Sequence, residues 1–314
     1  MTTLLVCQPE DTSHITPEGH PERPERLIAI KQALSANRFS QLRRETSQSA
    51  DLSLAALVHG PGVLRQIQAA RPAEGIARID ADTWVSPGSL DASATALGAG
   101  MRALAAVALG EADNAFCAIR PPGHHAEVDR PMGFCLLNTV AIMARLAQQM
   151  YGAERIAIVD FDVHHGNGTQ NIFKNDKDIA YLSSHEMPLF PGTGALNETG
   201  VGNIFNAPLL AGTDGEAMRE AYRDRLLPAL SNFAPDFIFI SAGFDAHHRD
   251  PLANLNWVDN DFAWVTGKIM DIAEQNCANR IVSLLEGGYD LKGLAGGVTS
   301  HVAMLQDGTL KPGG

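Results

Sequence analysis

Asp162, His164 and Asp245 have the side-chain types of a metal site built from oxygen and nitrogen ligands. Asp162 and His164 are two positions apart, so in an extended segment both side chains face the same side. Asp245 follows another apolar run and can supply a third ligand. Three such ligands, with one position left for water, are typical of catalytic rather than structural zinc. Loop carboxylates beside a hydrogen-bonded histidine give the same short pattern, so this spacing alone leaves both interpretations open.

His124 and His125 come directly after a Pro-Pro-Gly turn that follows an apolar run. Histidine titrates near neutral pH, so a pair fixed in this way can supply acid–base groups. The second pair, His247 and His248, has no such turn, and we interpret it as part of a solvated loop. Tyr289 follows two glycines, and its phenol can donate a hydrogen bond to an acyl oxygen that gains negative charge. A tyrosine that only anchors the last helix is the alternative.

The apolar pattern predicts the elements that position these residues. The predicted strands are 4–7, 115–119, 155–159, 179–183, 236–241 and 280–285. The predicted helices are 89–109, 136–150, 216–230 and 262–277. Buried strands that alternate with helices predict an α/β fold with a mainly parallel sheet flanked by helices. Ligands bind beyond the carboxyl ends of such strands, so we expect the polar loops to meet at that edge.

Composition restricts the class of protein. The 314 residues contain no repeat, low-complexity tract or linker, which predicts a single domain over 1–314. No apolar run is long enough to predict a membrane span. The four cysteines form no Cys-x-x-Cys pair and no secretory signal is recognisable, so we expect free thiols and a cytoplasmic location. A net charge of −12 disfavours direct nucleic-acid binding, and a homo-oligomer is compatible with the sequence.

Seven motifs together resemble those of the histone deacetylase and acetylpolyamine amidohydrolase family, in its bacterial branch similar to class II deacetylases. They are residues 20–26, 120–125, 133–135, 160–170, 190–194, 241–245 and 286–289. The resemblance implies an arginase-like fold and hydrolysis of an N-acetyl amide. It implies that Asp162, His164 and Asp245 bind one catalytic zinc ion.

The resemblance also assigns roles to the acid–base groups. It implies that His125 is the general base that activates water and later protonates the leaving amine. His124 corresponds to the companion histidine that stabilises charge, oriented by Asp160. Behind His125 this chain has Asn167, where some family members have aspartate. A neutral amide raises the pKa of the ring less than a carboxylate does, so our hypothesis is that His125 is neutral in the resting enzyme. Tyr289 corresponds to the residue that polarises the acetyl carbonyl.

The family's acyl tunnel maps onto Gly133, Phe134 and Phe190. Leu252 stands at the place where the polyamine-specific branch has a gatekeeper glutamate, which argues against that device here. Acetyl-lysine in proteins and small acetylpolyamines both remain open as substrates. Glu127 and Asp129 can meet a distant ammonium at the rim, but we favour solvated loop carboxylates.

The family places a monovalent cation, usually potassium, beside the zinc ligands. In this chain the resemblance assigns that structural site to Asp160, Asp162, His164, Ser183 and Ser184.

Two other classes of protein remain as alternatives. A manganese ureohydrolase of arginase type needs further bridging carboxylates, but this chain has His165 and Asn167 where they are expected. A catalytically silent module that binds acyl-lysine is disfavoured because every expected catalytic position is filled.

Overall fold

The computed structural model describes residues 1–9 and 14–308. The strands are β1 (Thr3–Cys7), β2 (Arg43–Thr46), β3 (Ala77–Arg78), β4 (Trp84–Val85), β5 (Asn114–Ala118), β6 (Ile156–Asp160), β7 (Ile179–Glu186), β8 (Ile204–Leu209), β9 (Phe237–Ala242) and β10 (Ile281–Leu285). The helices are α1 (Glu25–Ala33), α2 (Pro61–Ala70), α3 (Ser89–Ala108), α4 (Thr139–Tyr151), α5 (Asn167–Phe173), α6 (Gly215–Ala221), α7 (Leu227–Phe233), α8 (Asp259–Cys277) and α9 (Leu291–Asp307). None of these helices combines the length and apolarity needed to cross a bilayer.

One eight-stranded sheet forms the centre of the domain. Its order is β2-β1-β5-β10-β9-β6-β7-β8, and every neighbouring pair is parallel. Strands β5, β6, β9 and β10 are buried along their whole length, as expected for central strands of a parallel sheet. The short strands β3 and β4 form a separate antiparallel pair.

Helices cover both faces of the sheet. The thiol of Cys117 on β5 lies 3.6 Å from the carbonyl oxygen of Ala99 on α3. The neighbouring ring of Phe116 contacts the ring of His301 on α9, with centroids 5.6 Å apart. Successive side chains of a strand point to opposite faces, so α3 and α9 lie on opposite sides. The prediction of an α/β domain with a parallel sheet flanked by helices is therefore confirmed.

The predicted strands agree with observed ones to within a few residues, but the short pair β3 and β4 was missed, and so were β2 and β8 of the large sheet. Both lie at the edges of the sheet, where one side of the strand is unpaired. Strand β2 has the sequence Arg-Arg-Glu-Thr, and β8 contains Pro208, which an edge strand tolerates. The predicted helix 216–230 is divided by a π-helical turn at Tyr222–Leu226. Pro228 lies two residues after this turn and lacks the backbone N–H that a regular α-helix requires.

A buried ion cluster links the N-terminal segment to the sheet. The Glu22 carboxylate accepts hydrogen bonds from Nε and Nη2 of Arg120, at 2.5 and 2.7 Å. Arg26 also pairs with Glu22, at 3.3 Å, and all three side chains are fully buried. Arg26 donates further hydrogen bonds to the carbonyl oxygens of Glu286 and Gly288. The cluster therefore holds the loop that follows β10.

We expect Glu22→Gln to lower the free energy of unfolding by about 3–5 kcal/mol, because it leaves two buried guanidinium groups without a counter-charge. Urea denaturation followed by circular dichroism measures the change. Glu25→Gln is the matched control, since Glu25 is exposed and its loss should cost no more than about 0.5 kcal/mol. Equal, small shifts for both variants would contradict a stabilising role for the cluster.

Candidate metal centre and active site

The polar loops lie together at the carboxyl edge of the sheet. Strands β5, β10, β9 and β6 are consecutive neighbours, and a loop with titratable side chains follows each of them. Asp160, at the end of β6, is in register with Ser241 on β9 and with Ser183 on β7. The strand order thus brings residues from distant parts of the chain to one site.

Asp162, His164 and Asp245 are buried, and their potential ligand atoms all lie within 4.8 Å of one another. Nδ1 of His164 is 3.2 Å from Oδ1 of Asp162 and 3.1 Å from Oδ2 of Asp245. Backbone N–H groups orient the carboxylates: Val163 donates to Asp245 at 2.9 Å, and Gly287 donates to Asp162 at 2.8 Å. The three side chains therefore converge on one point, as a mononuclear site requires.

The electrostatics of this group fit a divalent cation. Burial, together with the negative charge of Asp162, raises the pKa of Asp245 to about 7. Two adjacent buried carboxylates repel each other unless a positive charge lies between them. A Cβ atom at Gly287 would collide with carboxylate oxygens of both aspartates, so only glycine leaves that space open. Two carboxylates and one imidazole form a donor set that suits zinc.

The two adjacent histidines have different partners. Nδ1 of His124 lies 3.0 Å from Oδ2 of Asp160, and Nδ1 of His125 lies 2.8 Å from Oδ1 of Asn167. Their ring centroids are 4.0 Å apart. One ring is thus paired with a carboxylate and the other with a neutral amide, as the motif comparison predicts.

The different surroundings of the two histidines shift their pKa values in opposite directions. Burial by itself lowers the pKa of His124, but the charges of Asp162 and Asp160 outweigh it and raise the value to about 10. For His125, burial and the nearby positive charge of His124 act together and hold its pKa well below the usual range. Both shifts favour protonation of His124 over His125, and the neutral state of His125 in the resting enzyme stays a hypothesis.

A cavity of about 230 Å³ leads to this group. Its walls are Asp82, His125, Gly133, Phe134, His164, Leu189, Phe190, Leu252 and Tyr289. Phe134 packs edge-on against Tyr289, with centroids 5.7 Å apart, and Phe190 packs edge-on against His125 at 5.1 Å. The walls are thus largely apolar, whereas Asp82, His125, His164 and Tyr289 supply the polar groups.

Gly133 is required by this geometry. Its φ is +58°, and a Cβ atom there would lie only 2.5 Å from the ring of His125. The next residue, Phe134, also has a positive φ of 65°, which is unusual for a bulky side chain. The backbone therefore passes close to His125 and turns Phe134 into the cavity wall.

Tyr289 is held from several sides. Its backbone N–H donates to the Asp250 carboxylate at 2.7 Å, and the Arg26 guanidinium lies 5.0 Å from its ring centroid. Burial and the negative charge of Asp245 raise the pKa of its phenol well above the usual range. The hydroxyl thus stays protonated and remains a hydrogen-bond donor at the cavity.

The sequence profile of the histone deacetylase domain matches residues 20–305. This chain belongs to the histone deacetylase family. Among its relatives, histone deacetylase 10, chloroplastic, from Oryza sativa subsp. japonica is 38% identical over 94% of this chain and 71% of that protein. A probable deacetylase from Archaeoglobus fulgidus is 38% identical over 93% of this chain and 83% of that protein.

A solved structure agrees with the sequence comparisons. The crystal structure of the HDA15 HD domain matches with a TM-score of 0.90 at 32% identity, over 97% of this chain and 89% of that chain. The domain therefore has the histone deacetylase fold, and the chain is a hydrolase of the deacetylase type. Membership of this family implies a metal ion, and Asp162, His164 and Asp245 form a group that can hold one.

The monovalent-cation site that the motifs assign to this family member has mixed support. The side chains of Ser183 and Ser184 point to opposite faces of β7. The Ser183 hydroxyl pairs with Nδ1 of His185 at 2.9 Å, and the Ser184 hydroxyl pairs with Tyr222 at 2.9 Å. The two hydroxyls therefore do not converge near Asp160, and the site stays a prediction.

Two interpretations from the sequence were wrong. His247 is not solvated: it is buried, and its Nε2 lies 3.2 Å from the Asp259 carboxylate, while His248 is exposed. Glu127 is not a free loop carboxylate either, because its Oε1 accepts a hydrogen bond from Nδ2 of Asn167 at 2.7 Å. Asp129 is exposed, as expected. Buried positions in a loop do not recur at a regular spacing, as they do in helices and strands. The sequence pattern therefore does not predict these contacts.

The deacetylase site also contains residues that the sequence analysis did not select. Asp82 lies between β3 and β4 and places a carboxylate in the cavity wall. Glu286, whose motif was recognised, accepts hydrogen bonds from the backbone N–H groups of Gly123 and His124, at 2.6 and 3.1 Å. It therefore connects the loop after β10 to the loop that carries the histidine pair.

We predict that Asp245→Asn reduces bound zinc from about one ion per chain to nearly none, because the site loses one of its two anionic ligands. Elemental analysis after dialysis measures the metal content, and added zinc should raise the melting temperature of the unmodified protein alone. Asp271→Asn, at an exposed position of α8, is the control. Full zinc content in Asp245→Asn would exclude Asp245 as a ligand.

Proposed function

We propose that this protein is a zinc-dependent deacetylase that hydrolyses N-acetylated amines. The observation that carries the proposal is the grouping of Asp162, His164 and Asp245 beside a cavity that is lined by His125, His164 and Tyr289. When bound, a zinc ion supplies Lewis acidity, which lowers the pKa of water and polarises an acyl oxygen. The three residues have the donor types that such an ion requires.

The other residues supply proton transfer and charge stabilisation. His125 lines the cavity and is neutral, so its Nε2 can take a proton from water and later give it to the leaving amine. His124 is protonated and held by Asp160, so it offers a fixed positive charge rather than a base. The Tyr289 hydroxyl donates a hydrogen bond to the acyl oxygen as negative charge develops there.

The cavity favours a slender acyl chain with a polar group at its outer end. Phe134 and Phe190 form apolar walls, and Leu252 lies at the wall where an acidic gatekeeper would act. Asp82 is the carboxylate in this wall, and its oxygens can accept hydrogen bonds from an ammonium or a peptide N–H. Acetyl-lysine in a peptide and a small acetylpolyamine both satisfy these requirements.

Other features complete the proposal. The structural potassium site at Asp160, Asp162, His164, Ser183 and Ser184 stays a prediction from the motifs. Cys7, Cys117, Cys135 and Cys277 are all free thiols, which supports a reducing compartment such as the cytoplasm. The acidic net charge of −12 supports a small or peptidic substrate rather than direct nucleic-acid binding.

An activity panel tests the proposed function. Purified protein is assayed with acetyl-lysine peptides, acetylputrescine, acetylcadaverine and acetylspermidine, and its metal content is measured in the same sample. We expect release of acetate from at least one substrate, with zinc bound. Zinc without turnover of any substrate would indicate a silent binding module, and two manganese ions per chain in the same sample would indicate a ureohydrolase.

Tyr289→Phe should lower kcat by about 100- to 1,000-fold, the usual effect of removing one hydrogen bond to a developing oxyanion. Zinc content and melting temperature should stay unchanged, because the phenyl ring keeps its packing against Phe134. Tyr151→Phe, at the end of α4, is the control for loss of a hydroxyl far from the cavity. A kcat close to that of the unmodified enzyme would show that the phenol does not take part.

A further inference from the structure

The orientation of the Asn167 amide determines which nitrogen of His125 carries a proton. The amide oxygen and nitrogen of asparagine have nearly the same shape, so only their partners distinguish the two orientations. Here one end of the amide lies 2.8 Å from Nδ1 of His125, and the other end lies 2.7 Å from Oε1 of Glu127. A carboxylate only accepts hydrogen bonds. The NH₂ group must therefore face Glu127, and the oxygen must face His125.

This orientation has a consequence for the imidazole. The amide oxygen is an acceptor, so Nδ1 of a neutral His125 must carry the proton and Nε2 must hold a lone pair. In the reversed orientation the NH₂ group would donate to Nδ1, and the proton would move to Nε2. A ring protonated at Nε2 cannot accept a proton from water in the cavity.

Glu127 is itself rigidly placed. Its backbone N–H donates to the carbonyl oxygen of Arg130 at 3.0 Å, and Oε2 of its side chain accepts from Nε of Arg130 at 3.0 Å. Its carbonyl oxygen is 2.7 Å from Nδ1 of His59. Nε2 of His59 accepts the backbone N–H of Asn138 at 2.9 Å, so in the neutral ring Nδ1 is the donor. The side chain of Glu127 is only 17% exposed, so few waters compete for it.

We propose that Glu127 is a positioning residue that fixes the Asn167 amide and thereby keeps Nε2 of His125 free to act as the base. This inference rests on the base role of His125 in the proposed function. Glu127 does not touch the cavity, and it acts only through Asn167. The second N–H of the Asn167 amide faces Sδ of Met132 at 3.3 Å, a weak acceptor that cannot replace the carboxylate.

Substitution of Asn167 by aspartate provides a sharp test. Both oxygens of a carboxylate accept hydrogen bonds, so Nδ1 of His125 would remain the donor in either orientation. Glu127 would then have no orienting role and would instead repel the new negative charge. The effect of Glu127→Ala should therefore depend on the residue type at position 167.

The experiment compares Glu127→Ala, Asn167→Asp and the double variant, all loaded with zinc. We expect Glu127→Ala to lower kcat by about tenfold or more, part of the contribution of a general base, with KM nearly unchanged. In the Asn167→Asp background the same change should not lower kcat. Glu127→Gln keeps an acceptor and should recover most of the activity. Asp129→Ala, on the same turn but exposed, should behave like the unmodified enzyme.

A second measurement is independent of turnover. Nitrogen NMR of histidine-labelled holoenzyme distinguishes a protonated from an unprotonated ring nitrogen. His125 should be protonated at Nδ1 in the unmodified protein and should shift towards Nε2 in Glu127→Ala. Equal losses of kcat in both backgrounds, or an unchanged tautomer, would overturn the proposal. If no acetylated amine is turned over, the proposed function fails, and the NMR measurement still tests Glu127.

Discussion

Buried negative charge is the constraint on which the site depends. Asp160, Asp162, Asp245 and Glu286 are all buried at the carboxyl edge of the sheet. An uncompensated buried carboxylate costs free energy on the order of several kcal/mol. Backbone N–H groups of the neighbouring loop donate hydrogen bonds to Glu286, and the His124 ring pairs with Asp160. Asp162 and Asp245 both lie against His164, so a cation bound among the three side chains would offset the repulsion between the two carboxylates.

The same electrostatic requirement ties the site to a distant part of the chain. Glu22 pairs with Arg120, which follows β5, and with Arg26, which donates to carbonyl oxygens of the loop after β10. Because a buried charged cluster tolerates little rearrangement, this loop has one preferred position. Tyr289 lies on that loop, so an ion pair with no access to the cavity fixes the place of its phenol. The N-terminal segment and the loop after β10 thus position the tyrosine together.

The sequence predicted the central strands, which have a recognisable apolar pattern, and the loops that carry motifs. Central strands consist of buried apolar runs, and the residues that follow them belong to recognisable motifs, so strands and candidate ligands could be found together. Edge strand β2 is charged and short, and therefore has no such signal. Asp82 and Glu127 depend on loops whose paths are set by tertiary contacts, so their positions could not be derived from spacing. His247 was misjudged for the same reason: its partner, Asp259, belongs to a separate helix.

The contrast between the two histidines shows how neighbouring identical residues acquire different chemistry. A carboxylate behind each ring would place one more negative charge beside Asp162 and Asp245 and would favour protonation of both imidazoles. Asn167 avoids this because it is neutral, but an amide, unlike a carboxylate, can turn its donor towards the ring. The Glu127 carboxylate removes that ambiguity from the far side of the amide, where it directs the hydrogen bond without contacting His125. A neutral base in an acidic site therefore depends on two residues. Asn167 accepts a hydrogen bond from the His125 ring, and Glu127 fixes the orientation of the Asn167 amide.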